Sequence, residues 1–245
     1  MKKFKKLIPA LCMLLVSAVM LGSTTFAWFS MNTTVTATGM TVNATSDELF
    51  LTIQYGSTFD KTSTAITATS TAGAKSLLPV AHGTVSDGTG TATAITVAAD
   101  MTDHTKWYYA YSDSNTTATA KANSAAQVAS VAALGNYIAS ETFSVGVNDK
   151  SGAKKFASLK VTSVTIPENK GLVLVLVCGT KVVTFSATSP SIAENNALTD
   201  ATGLESTTIT AYYYIDGNNT NVYSNNAVNI TGQISFTLSA TAANA

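Results

Sequence analysis

The stretch LVLVLVC, Leu172 to Cys178, is apolar at every position. A strand buried on one face alternates apolar with polar side chains, so a run without a polar alternate predicts a central strand covered on both faces. Gly179-Thr180 and then KVVTFSA, Lys181 to Ala187, follow at once, the pattern of a tight hairpin. Nearer the C-terminus, in TGQISFTLSATA, Ile234, Phe236 and Leu238 alternate with Ser235, Thr237 and Ser239. That predicts a half-buried strand with one wet face.

The same period-two reading, with β-branched and aromatic enrichment, predicts further strands along the chain. They span Asn32 to Asn43, Glu48 to Tyr55, Ala92 to Ala98, Lys106 to Ser112, Tyr137 to Val147, Phe156 to Ile166, Thr207 to Ile215 and Val228 to Ala240. Helix is scarce. Lys121 to Leu134 is Ala-rich with apolar residues at helical spacing and ends at Gly135, and Ser191 to Leu198 follows a Ser189-Pro190 start signal. Thr58 to Lys75 and Gly83 to Thr93 read as long loops. Many strands, few helices and no βαβ alternation predict an all-β fold, an antiparallel β-sandwich or jelly roll with one or two short helices.

A signal-peptide helix is expected to precede it. Lys2, Lys3, Lys5 and Lys6 head an apolar run from Leu7 to Gly22, and Thr25-Phe26-Ala27 supplies a small-x-Ala end. The expected cut falls after Ala27, leaving Trp28 first, so residues 1–27 are a leader and 28–245 one domain. An uncleaved anchor is the other reading, since Leu7 to Phe29 is long enough to cross a bilayer.

The chain has no arginine, and the leader holds four of the 14 lysines. That leaves 10 against 14 acids, a net charge of −4 beyond residue 27. A chain of that balance is a poor partner for nucleic acid, whose binders concentrate basic residues. Charged residues make up only 11% of the sequence, so copies repel one another weakly. Cys12 leaves with the leader, and Cys178, alone in its apolar run, reads as a buried, inert thiol without a disulfide partner.

Reactive constellations are not evident. His82 and His104 are the two histidines, with no HExxH, GxSxG, GxGxxG or P-loop, and His104 reads as a solvated loop residue before a strand. Asp60, Asp87 and Asp113 lack the spacing of a calcium loop. No cofactor or metal is expected, and scattered acids give an enzyme reading no positive support. The Asn-x-Thr sequons at Asn32, Asn43, Asn115, Asn218 and Asn229 read as products of Asn/Thr richness.

Two aromatic clusters remain, WYYAY at Trp107 to Tyr111 and YYYI at Tyr212 to Ile215, before the turn signal Asp216-Gly217-Asn218-Asn219. As strand residues they pack core and rim. As exposed faces, Trp107, Tyr109, Tyr111, Tyr212 and Tyr214 would form a glycan-binding platform.

The junction TTFAWFSMNTTVTATGMTVNA, with Thr25-Phe26-Ala27, Trp28-Phe29 and the strand Thr34 to Val42, resembles the leader-to-first-strand border of the TasA/camelysin family of secreted bacterial proteins. The late YYYIDGNNTNVYSNNAVNITGQISFTLSA is similar to the closing strands of related Gram-positive exported proteins. The resemblance implies removal of the leader by a dedicated signal peptidase, a jelly-roll domain and assembly into extracellular matrix fibres. It further implies that a freed N-terminal strand completes a neighbour's sheet. Here that strand would be residues 28–44, with Trp28, Phe29, Val35, Met40 and Val42 as its side-chain anchors.

The first function expected is therefore a secreted, non-enzymatic structural protein of a biofilm-matrix fibre or surface layer, self-associating by strand addition. The alternative is a monomeric cell-surface adhesin or glycan-binding module that uses the aromatic clusters on glycan or cell-wall material.

Overall fold

A computed structural model describes residues 40–45, 51–69, 76–86, 89–114, 117–167, 171–186, 196–199, 201–219, 221–222, 228–230 and 233–243. They all lie in one compact unit, Ala37–Ala245. The expected leader falls outside the described residues, among which no helix is long and apolar enough to cross a membrane.

The fold is all-β, two main sheets packed as a sandwich. The first has four strands in the order β10 (Phe156–Thr165), β15 (Ser235–Ala242), β1 (Thr41–Thr45) and β3 (Thr67–Thr69). The second is built around β13 (Ser206–Asp216). One edge of β13 takes β11 (Leu172–Cys178), which in turn takes β12 (Lys181–Ser186). The other edge takes β9 (Ile138–Val147), with β2 (Leu51–Tyr55) beyond it. At Ile215 and Asp216 that edge passes to β5 (Pro79–Ser86), which leads on to β7 (Trp107–Ser114) and β8 (Thr117–Gln127). The hairpin partner β6 (Thr89–Ala92) also pairs with β5, and β4 (Ser76–Leu77) with β14 (Val228–Asn229) forms a small ribbon. Most pairs are antiparallel; β1 with β15 and β5 with β13 are parallel.

Strand β11 matches its sequence reading residue for residue. Leu172, Leu174, Leu176 and Cys178 enter the core between the two sheets, beside Val42, Phe143, Phe236 and Leu238. Val173 and Val175 enter a second core on the outer face, with Val80, Met101, Trp107 and Tyr214. Gly179 turns the hairpin at φ 58°, the left-handed conformation that a type II′ turn places at its first central residue. Strand β15 keeps its alternation, with Phe236, Leu238 and Ala240 buried and Ser235, Thr237 and Ser239 half-buried.

The middle of the chain departs from its reading. Most of the helix expected over Lys121 to Leu134 is strand β8, and only Val131–Leu134 forms a helical turn, α1, capped by the Ser130 hydroxyl accepting from Ala133 N–H at 3.1 Å. Alanine's helix preference is a weak prior that pairing with β7 overrides, and Val131 stays exposed. The loop expected over Gly83 to Thr93 is the β5–β6 hairpin. Gly83 is there for close approach, since a Cβ would sit 1.9 Å from the Thr91 carbonyl oxygen. Within the other expected loop, Thr58 to Lys75, lies the short strand β3.

The strand expected over Ala92 to Ala98 is absent. The chain bends there into a 3₁₀ turn, Ala98–Met101, that buries Met101 in the second core. Of the helix expected over Ser191 to Leu198, residues 191–195 lie outside the described residues. Its end runs extended along β10, with Leu198 N–H donating to the Leu159 carbonyl at 2.8 Å. The single strand expected over Val228 to Ala240 is two, β14 and β15.

Because β11 is covered on both faces, truncation on either should register. Leu174→Ala is expected to lower unfolding stability by about 2–5 kcal/mol. Val175→Ala, pointing the opposite way, should cost about 1.5–3 kcal/mol. Denaturant titration reads both; a change under 0.5 kcal/mol at either site would contradict the two-core arrangement.

Candidate functional site: the N-terminal strand slot and the aromatic face

Strand β1 has the sequence TVNAT, and its apolar alternates Val42 and Ala44 are buried, as is Met40 before it. It lies inside the four-stranded sheet. Thr41 to Thr45 run parallel to Ser235 to Ser239 of β15, while Thr41 to Asn43 oppose Thr69 to Thr67 of β3. Ala44 N–H also donates to the Ile66 carbonyl at 3.0 Å. The described end of the expected assembly strand thus pairs within its own chain, with Met40 and Val42 in the core. Thr25, Ala27, Trp28, Phe29 and Val35 lie outside the described residues. Withdrawing β1 would leave β15 and β3 with unpaired edges and open the core above Phe143 and Phe236, whose rings meet edge-on at 6.0 Å.

The aromatic clusters follow strand parity. Trp107 is fully buried, its indole N–H donating to the Asp100 carbonyl at 2.6 Å, its ring edge-on to Tyr214 at 4.9 Å and to His82 at 5.1 Å. Tyr214 is buried too, and desolvation raises its phenol pKa. These two are therefore corrected from platform to core: neither presents a ring face to solvent. Tyr213, one residue earlier, points into the inner core, where burial pushes its phenol up to about 12. Tyr109, Tyr111 and Tyr212 are half-buried, Tyr109 tilted against Tyr137 at 5.3 Å. The structure thus brings Trp107, Tyr109, Tyr212 and Tyr214 together around the second core rather than on an open face.

Both histidine rings lie against backbone carbonyls. His104 sits in a short 3₁₀ turn before β7, partly buried rather than fully solvated, its Nδ1 2.7 Å from the Val128 carbonyl. His82 is buried, Nδ1 3.0 Å from the Thr93 carbonyl and Nε2 3.4 Å from Asp100 Oδ2. Among the described residues no group of three or more His, Cys, Asp or Glu could hold a metal. Cys178 is buried 3.3 Å from the Thr207 hydroxyl, and desolvation raises its thiol pKa, so little thiolate forms at neutral pH.

Sequence reasoning missed two acids. Glu141 is buried at one end of the inner core and accepts from the Tyr55 hydroxyl at 2.7 Å. Asp216 forms the expected turn, its Oδ1 accepting from Asn218 N–H at 3.0 Å, but it also lines a cleft of about 510 Å³ on the outer face of β11–β13. Burial raises its carboxyl pKa. The turn signal was legible; nothing local marks this carboxyl as desolvated.

The chain matches no family model, no curated protein and no solved structure.

Two outcomes follow from these environments. A disulfide-exchange reagent should leave Cys178 unlabelled in the folded protein and titrate one thiol in denaturant, once the leader and Cys12 are absent; rapid native labelling would contradict the burial. For Asp216 the folded pKa lies above the unfolded one, so its contribution to stability falls as pH rises through that window. Asp216→Asn should therefore stabilise the fold at neutral pH, with the difference vanishing below the ordinary carboxylate range. Unfolding curves at several pH values check the sign.

Proposed function

We propose that this chain is a secreted, non-enzymatic structural subunit that polymerises by β-strand addition, its N-terminal segment filling the β1 slot of a neighbouring copy. The observation that carries this reading is the position of β1. A strand from the N-terminal part of the chain sits in the interior of a sheet, between β15 and β3, and supplies Val42 and Ala44 to the core. In the structure the chain's own β1 fills that slot. The same ladders and the same buried side chains form whether the strand comes from the same copy or the next. Exchange between copies therefore costs little beyond association entropy and hinge rearrangement. The low charge of the chain opposes such packing weakly.

The lysine-headed leader and its small-x-Ala end support export, with a signal peptidase as the processing partner. The resemblance at the leader junction supports a bacterial extracellular matrix fibre or surface layer as the product.

The test places cysteines at Asn43 and Thr237, which oppose each other in the β1–β15 ladder. Protein lacking residues 1–27 and carrying Asn43→Cys and Thr237→Cys is concentrated, oxidised and run on a denaturing gel without reductant. Strand exchange predicts a covalent ladder of multimers, with filaments in negative stain, and the filaments are lost when residues 28–44 are deleted. Only cross-linked monomer at every concentration, and no filaments, would sink the proposal.

A further inference from the structure

The cleft beside Asp216 lies apart from the strand slot, where Val173, Val182 and Ile95 of the second core meet the surface. Its floor is the outer face of three neighbouring strands, Val182 and Thr184 of β12, Val173 of β11 and Asp216 of β13, and its wall is the segment carrying Thr93 and Ile95. Three of these side chains are aliphatic, two carry hydroxyls, and one is a carboxylate.

The carboxylate is the informative group. Asp216 Oδ1 accepts from Asn218 N–H, and among the described residues Asn218 is the hydrogen-bonding partner that offsets its desolvation. No lysine among the described residues forms an ion pair with it; Lys61, for one, pairs with Glu205. A half-buried anion that faces a cleft and has no counter-charge among the described residues is complementary to a cation. Its neighbours narrow the class. The walls of Ile95, Val173 and Val182 suit a hydrocarbon stem, and the hydroxyls of Thr93 and Thr184 can accept additional N–H bonds.

Other chemistries fit less well. A sugar ring needs an open aromatic face, and Tyr214, though it lines the cleft, is buried against Trp107. A metal ion needs several ligands converging, and here there is one carboxylate with hydroxyls. An anion would meet Asp216 itself.

We propose that this cleft is a binding site for an alkylammonium group, the end of a lysine side chain or a free aliphatic amine, with Asp216 as its counter-ion and Ile95, Val173 and Val182 around its stem. The proposal stands independently of strand exchange.

The test uses residues 28–245, which contain the compact unit whole. Backbone amide shifts of Val182, Thr184, Asp216 and Gly217 are followed while n-butylammonium, Nα-acetyl-lysine amide or n-butanol is added. Saturable shifts confined to the cleft are expected with n-butylammonium and not with n-butanol. Saturation by the lysine derivative as well identifies a protein side chain as the ligand source; saturation by n-butylammonium alone identifies a free amine. Asp216→Asn should weaken binding at least about tenfold, the scale of one lost charge-assisted hydrogen bond, while leaving the remaining spectrum in place. Thr184→Val, with Asp216 intact, should weaken it by a smaller factor. Equal responses to amine and alcohol, no saturable response, or unchanged affinity in Asp216→Asn would each overturn the assignment. The readout needs no filament, so failure to polymerise and failure to bind are distinguishable.

Discussion

Burial of β11 on both faces is the constraint from which the architecture follows. A strand whose every side chain is apolar cannot have a wet face, so each side needs its own cover. The four-stranded sheet covers Leu172, Leu174 and Leu176; the excursion carrying Trp107 and Met101 covers Val173 and Val175. Strand β13 shares the arrangement, sending Tyr213 one way and Tyr214 the other. A slip of one residue would exchange the two sets and put a phenol where the inner core holds aliphatic side chains. Register is therefore specified twice, once by each core.

This doubled cover explains which parts of the fold were legible. Strands β9, β10, β11, β12 and β13 carry clear apolar patterns, and their observed ends fall within a residue or so of the expected ones. Apart from β7, the region from β3 to β8 is rich in Thr, Ala, Ser and Gly, whose weak hydrophobic contrast supports no period. There Ala-rich sequence resembled helix and Gly-rich sequence resembled loop, although tertiary pairing made both into strands. The parallel partnerships of β1 with β15 and β5 with β13 were illegible for another reason: they join residues far apart in sequence, and no local signal names a strand's neighbour.

The candidate sites divide along the same line. The alternation in WYYAY was correctly a strand signal, with Trp107 and Tyr109 on one face and Tyr108 and Ala110 on the other. Both faces prove to be packed, so exposure could not be read from parity alone. Asp216 was legible as a turn former because that role is local, in the Asn218 N–H it accepts. Its place in a cleft depends on Thr93 and Thr184, which the fold brings in from the segment after β6 and from β12.

Under the strand-exchange proposal, the geometry of β1 also bears on the form of the product. The β10 edge of the four-stranded sheet is guarded. Strand β10 breaks register after Ala157, Ser158 lies at φ 53°, and Asn196 to Leu198 run along its outer side. Bulges and covering segments of this kind discourage edge-to-edge pairing at β10, whereas a strand entering the β1 slot gains a ladder on both sides, with β15 and with β3. A donated strand and an accepting slot are different surfaces, so each copy can give to one neighbour and receive from another. Such a heterologous contact propagates into a polar filament unless two copies exchange reciprocally. Only residues 46–50 connect β1 to β2. Fully extended, five residues span at most about 18 Å, so donor and acceptor bodies must nearly abut. A tether that short makes the body-to-body contact part of the assembly, and the choice between filament and closed pair rests on that contact as well as on the strand.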